Sequence, residues 1–153
     1  MRFLLMATSL ALISCTSKPE PAAFNLADQM PYLDKAAQEP GAVRTDSGLV
    51  YRELRPGTGT SPLSTDTVTV HYRGTLTNGV EFDSSYKRNE PAEFPLNQVV
   101  PCWREGVKKM KVGGKSQLVC PASIGYGERG SPPEIPGGAT LIFEVELLSI
   151  KGA

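Results

Sequence analysis

Two stretches of this chain alternate apolar and polar residues with a period of two, which is the signature of β-strands that bury one face and expose the other. From Asp66 to Leu76, Val68, Val70 and Tyr72 point one way, with Thr67, Thr69, His71 and Arg73 opposite. From Ala139 to Ile150, Leu141, Phe143, Val145 and Leu147 share a face, while Glu144 and Glu146 take the other. Asn78-Gly79 follows the first strand, and both residues tolerate the positive φ of a type I′ turn, so a hairpin returning through Val80 to Phe82 is predicted. Shorter strands are predicted at Gly48 to Leu54, ended by Pro56-Gly57, and at Gly114 to Cys120. Only one helix is predicted inside the domain, from about Pro101 to Met110. Proline suits its first turn, and Trp103, Val107 and Met110 fall on one side. Lys108, Lys109 and Lys111 near its end form a solvated face that complements the helix dipole. The fold class is therefore α+β, a curved antiparallel sheet wrapped around one short amphipathic helix.

The 153 residues suffice for one compact domain plus processing segments. Sixteen basic and 16 acidic side chains balance, so no net field argues for a nucleic-acid partner. With a single histidine and no clustered cysteines, the chain offers no metal site, and no cofactor is expected. His71 alternates away from the Tyr72 side, which suits a solvated or structural role better than a catalytic one.

The N-terminal segment reads differently. Met1-Arg2 is a short basic start, and Phe3 to Ile13 is an apolar run of signal-peptide length, well short of the about 20 residues that span a bilayer. It ends in Leu12-Ile13-Ser14-Cys15, which resembles a bacterial lipobox, where the cysteine thiol takes a lipid and becomes the mature N-terminus. The alternative is an ordinary signal peptide with an incidental cysteine. Thr16 stands where an Asp would signal inner-membrane retention, so in a Gram-negative source the resemblance implies the outer membrane, facing the periplasm. The expected divisions are a signal peptide over 1–14, a lipidated tether over 15–24, a helical extension over 25–47 and the main domain over 48–153. Within the extension, Leu26, Met30, Leu33 and Ala37 share a helical face, which Pro31 is expected to interrupt. Packing on the domain is the expected role of that face, and dimerisation the alternative.

The segment Val68 to Leu76, then Gly79, then Phe82-Asp83-Ser84-Ser85, resembles the first signature of FKBP-type peptidyl-prolyl cis-trans isomerases. Trp103-Arg104-Glu105-Gly106-Val107 with Met110 and Gly113 resembles the family's central helix, and Pro121, Ile124-Gly125-Tyr126-Gly127, Ile135-Pro136 and Ala139 to Leu147 continue the match. The resemblance implies a half-barrel around a helix, with an apolar site between the two. It assigns catalytic roles to Asp83, Tyr126, Phe82 and Trp103, and substrate-binding roles to Tyr72, Phe94, Val99, Val100, Ile135 and Phe143. Proline-containing polypeptides are the implied substrates, tacrolimus- and rapamycin-type macrolides the implied ligands, and a monomer the expected state. Taken singly, Phe82, Phe94, Phe143 and Trp103 suit a core, and Asp83 before Ser84-Ser85 suits a turn.

Cys102 stands where a glycine is commoner in the family, and Ser131 where some members carry a histidine. The loop from Glu128 to Gly138 holds Pro132, Pro133 and Pro136, which leaves the preference for the residue before proline open. With Cys15 assigned to lipid, Cys102 and Cys120 remain as a pair, and a disulfide between them is expected; two buried thiols are the alternative. The activity expected is isomerisation of Xaa-Pro bonds in exported proteins. The rivals are a proline-segment-binding chaperone with little turnover and a surface factor acting on host proteins.

Overall fold

The computed structural model describes residues 23–152, so the expected signal peptide and Cys15 lie outside the described residues. Among the described residues, seven strands form one antiparallel sheet: β1 (Ala42–Arg44), β2 (Val50–Arg55), β3 (Thr67–Leu76), β4 (Glu81–Ser84), β5 (Ala92–Pro95), β6 (Lys115–Cys120) and β7 (Leu141–Ile150). The order is β1-β2-β6-β7-β3-β4, with β5 also on β3. The two strands with the clearest alternation, β3 and β7, pair with each other from Val68↔Ile150 to Leu76↔Leu141 at the centre of the sheet. A bulge opposite Thr69/Val70 resets the register, so that both Leu147 and Ile150 face inward.

Helix α3 (Pro101–Lys108) lies against the concave face. Trp103, Val107 and Met110 meet Val68, Val70, Leu118, Leu141, Val145 and Leu147 in one core. The helix comes close because Gly106 has no side chain: a Cβ there would sit 2.2 Å from Leu118 Cδ2. Cys102 on α3 and Cys120 at the end of β6 face each other with Cα atoms 5.9 Å apart, within the span a disulfide bridges.

On the other face of the sheet, α1 (Gln29–Ala37) covers Val50, Val119 and Ile142 with Tyr32, Leu33, Ala36 and Ala37. The packing stripe therefore differs from the one predicted. Leu26 and Met30 are exposed, at 65% and 59%: Leu26 lies in a 3-10 turn over Leu26–Asp28 that precedes α1, and within α1 the packed stripe runs through Gln29, Leu33 and Ala36, leaving Met30 off its edge. Pro31 does not interrupt α1; it sits in the first turn, where its missing N–H would have had no intrahelical acceptor.

Three further local features depart from the sequence reading. The β3–β4 turn is not type I′, because Gly79 takes a positive φ of 86° while Asn78 does not. Gly79 N–H donates to Leu76 O and Leu76 N–H to Val80 O, the pattern of a three-residue loop with a glycine bulge. A second domain helix, α2 (Ser85–Arg88), is a single turn capped by the Ser84 hydroxyl and ended by left-handed Asn89. At four residues it shows no helical period. The three-residue β1 and four-residue β5 were likewise too short for a pattern to reveal.

Candidate active site

Trp103 is the centre of the cavity. Pro101 at the first position of α3 starts the helix two residues before it, and the Trp103 side chain is 4% exposed. Three rings meet it edge-to-face: Tyr72 from β3 at 5.3 Å, Phe94 from β5 at 5.3 Å and Phe143 from β7 at 5.4 Å between centroids. Phe82 from β4 stands perpendicular to Phe143 at 5.6 Å. Such T-shaped contacts are the favoured aromatic geometry, so the rings hold each other in a rigid box. The box opens into a cavity of about 340 Å³, completed by Val99 and Val100 before α3, by Tyr126 from the loop after β6, and by Asp83 and Gln98 at the rim.

The polar rim is a fixed triad. One Asp83 carboxylate oxygen, Oδ2, accepts a short hydrogen bond from the Tyr72 hydroxyl, and Oδ1 accepts from the Arg88 guanidinium at 2.6 Å and from the Ser84 backbone N–H at 2.8 Å. Arg88 also donates to the Tyr72 hydroxyl at 3.1 Å. Burial pushes the Asp83 pKa up, but the Tyr72 hydroxyl and the Arg88 cation outweigh it and hold the carboxyl below the usual range, so Asp83 is an anion at neutral pH. Burial first, and then the neighbouring Asp83, push the Tyr72 phenol above its ordinary value, which keeps it a donor.

Nine of the ten residues predicted for the site line this cavity: Tyr72, Phe82, Asp83, Phe94, Val99, Val100, Trp103, Tyr126 and Phe143. Ile135 does not; it is 4% exposed and turned into the core from the bridge it makes with Ser131. Arg88 and Gln98 were missed. Arg88 comes from a one-turn helix and reaches back five positions to Asp83, a relation that no sequence period encodes. His71 lies behind the wall, with Nδ1 2.9 Å from Ser85 Oγ and its ring stacked on Tyr86 at 4.8 Å. Among the described residues, no group of three His, Cys, Asp or Glu side chains could hold a metal ion. The site thus has aromatic walls, one anchored carboxylate and one exposed phenol, Tyr126.

Residues 59–148 match the family of FKBP-type peptidyl-prolyl cis-trans isomerases. The chain belongs to that family. Among FKBP-type relatives, it is 52% identical over 120 residues to FkpA of Aeromonas hydrophila, covering 78% of this chain and 44% of that protein. The crystal structure of FkpA from Escherichia coli superposes with a TM-score of 0.79 at 47% identity, over 82% of this chain and 58% of the other. A peptidyl-prolyl cis-trans isomerase from Pseudomonas syringae pv. tomato superposes with a TM-score of 0.76 at 32% identity, over 82% and 92% of the two chains. The chain spans about half the length of the curated FkpA relatives it matches. The FKBP match begins after β2, so α1, β1 and β2 lie before it.

Proposed function

We propose that this protein accelerates cis-trans isomerisation of Xaa-Pro bonds in exported polypeptides, and that the aromatic cavity around Trp103 is its active site. The observation that carries this reading is the pairing, in one cavity of about 340 Å³, of an aromatic box with an anchored carboxylate rim. Rotation about a peptide C–N bond costs about 18–20 kcal/mol because resonance is lost on twisting, and no bond is broken. A catalyst therefore needs neither nucleophile nor general base. The planar amide is the more dipolar form, so an apolar pocket disfavours it relative to the twisted one. Trp103 forms a floor for the proline ring, with Phe82, Phe94 and Phe143 as walls, while the chain on one side of the bond rotates. Tyr126 donates to a substrate carbonyl, and Asp83 orients the rim toward the twisted geometry. Each 1.36 kcal/mol of preference for the twisted state gives about tenfold in rate.

The test is isomerisation of a short Xaa-Pro peptide by the protein and by Phe82→Ala, Asp83→Ala and Tyr126→Phe, with folding checked by circular dichroism. Acceleration that the variants impair and that saturating tacrolimus abolishes supports the reading. Acceleration unchanged in all three would remove the site assignment. A folded protein that binds tacrolimus without acceleration is a proline-segment-binding chaperone instead.

The location follows from the leader. Cys15 carries a lipid that holds the mature protein on the outer membrane, facing the periplasm, and the domain acts there as a monomer. An oxidising compartment also suits a Cys102–Cys120 disulfide. Fatty-acid labelling that persists in Cys15→Ser would dispose of the anchor.

A further inference from the structure

Gln29 opens α1, outside the part of the chain that matches the family, yet it is 5% exposed. Its side-chain amide donates to Asn25 O at 2.7 Å and to Thr77 Oγ1 at 3.1 Å, and its oxygen accepts from the Thr140 backbone N–H at 2.7 Å, 111 residues away. Thr140 is itself buried. A buried N–H deprived of its acceptor is costly, so this bond is a constraint on where Thr140 can lie.

The three partners belong to different parts of the molecule. Asn25 is in the N-terminal extension. Thr77 directly follows β3 and begins the turn into β4, the strand that carries Phe82 and Asp83. Thr140 ends the long loop that carries Tyr126. That loop is closed on itself by Gly138 N–H to Gly127 O at 2.9 Å, Gly127 N–H to Ala122 O at 2.8 Å and Gly130 N–H to Tyr126 O at 3.1 Å. Leu26 rests against the same stem: a Cβ at Gly138 would come within 2.5 Å of Leu26 Cδ1. The extension thus grips both the hairpin behind the Asp83 wall and the stem of the Tyr126 loop.

We propose that Gln29 is a positioning residue for the isomerase site, a clasp that fixes the Tyr126 loop relative to the Phe82–Asp83 strand. This rests on the isomerase reading above. None of Gln29's hydrogen-bond partners lines the cavity; it acts through Thr77 and Thr140.

The experiment compares the full chain with Gln29→Met, which removes all three hydrogen bonds at similar volume, and Gln29→Glu, which keeps an acceptor for Thr140 N–H. Amide hydrogen exchange and isomerisation of an Xaa-Pro peptide are measured on each. In Gln29→Met the amides of Gly127, Gly130, Gly138 and Thr140 exchange about tenfold faster, while those in the centres of β3 and β7 are unchanged. Its kcat/KM falls several-fold, and Gln29→Glu recovers part of both losses at acidic pH, where its protonated carboxyl both accepts from Thr140 N–H and donates to Asn25 O. Loop exchange that stays at the level of the unaltered chain, a rise shared equally by β3 and β7, or a protonated Glu variant no better than Met would overturn the proposal. If the unaltered chain does not isomerise the peptide, the isomerase reading fails and takes the catalytic role with it, whereas loop exchange still reports on the clasp itself.

Discussion

Gly74 offers the sharpest separation of site from scaffold. It lies in β3, opposite Phe143 on β7 and Asp83 on β4. A Cβ placed there would be 2.5 Å from Phe82 Cζ, 2.7 Å from Phe82 Cε2 and 3.0 Å from Phe143 Cε1. Carbon atoms in contact prefer about 3.5–4.0 Å, so in Gly74→Ala one ring must retreat by about 1 Å. Both rings line the cavity, but Phe143 is 5% exposed and held edge-to-face by Trp103, whereas Phe82 is only partly buried and is the ring that swings into the open space. Overpacking costs about 1–3 kcal/mol, and the open space beside Phe82 places this variant near the lower end, a fall of about 3 °C in Tm. The displaced ring would occupy the space that the proposed function assigns to the proline. Because misplacement by about 1 Å can cost about a hundredfold, kcat/KM is expected to fall by ten- to a hundredfold.

The control is Gly106→Ala, where the added Cβ meets Leu118 Cδ2 at 2.2 Å and Leu118, at 0% exposure, has no cavity to enter. That variant is expected to lose about 2–3 kcal/mol, while the turnover of its folded fraction changes little. Thermal melts and a peptide isomerisation assay on both variants decide the matter. Equal losses of stability with full turnover in Gly74→Ala would refute the reasoning.

Other outcomes follow from the rim and the cysteines. Asp83 has a lowered folded pKa, so its contribution to stability is present above the unfolded value near 3.8 and is lost as pH falls through the lower folded one. The acid limb of the isomerisation profile should accordingly lie below the ordinary carboxylate range and move upward in Arg88→Ala, as pH-rate profiles would show; an unmoved limb would detach Arg88 from the site. Converting both Cys102 and Cys120 to alanine, 18 positions apart, should reduce stability by about 3 kcal/mol in denaturant titrations. Reduction of the unaltered protein should expose two additional thiols, and an unchanged count would mean the pair is not bonded.

The alternation in β3 and β7 was legible because a strand with one buried face repeats every two residues, and the structure pairs these two strands at the centre of the sheet. The aromatic positions were legible only through family resemblance, since a phenylalanine on the inner face of a strand reads equally as core or as cavity wall. Ile135 shows that limit: it belongs to the family pattern, yet its side chain packs inward. The stripe of Leu26, Met30, Leu33 and Ala37 shows another, because Leu26 falls in a 3-10 turn and the face of α1 that packs runs through Gln29 and Leu33 rather than Met30.

By itself the sequence determined β2, β3, β4, β6 and β7, the central helix and the hairpin position, all of which depend on neighbours within a few residues. Only the tertiary structure decided which polar groups would meet. Arg88 reaches Asp83 and Tyr72 because a one-turn helix folds it back over the rim. Gln29 reaches Thr140 because α1 packs behind the sheet, near the start of β7, which Thr140 immediately precedes. Hydrophobic periodicity reports which way a side chain faces relative to the core. A polar contact between distant segments depends on strand order, the packing of elements and side-chain reach, none of which leaves a local period to read.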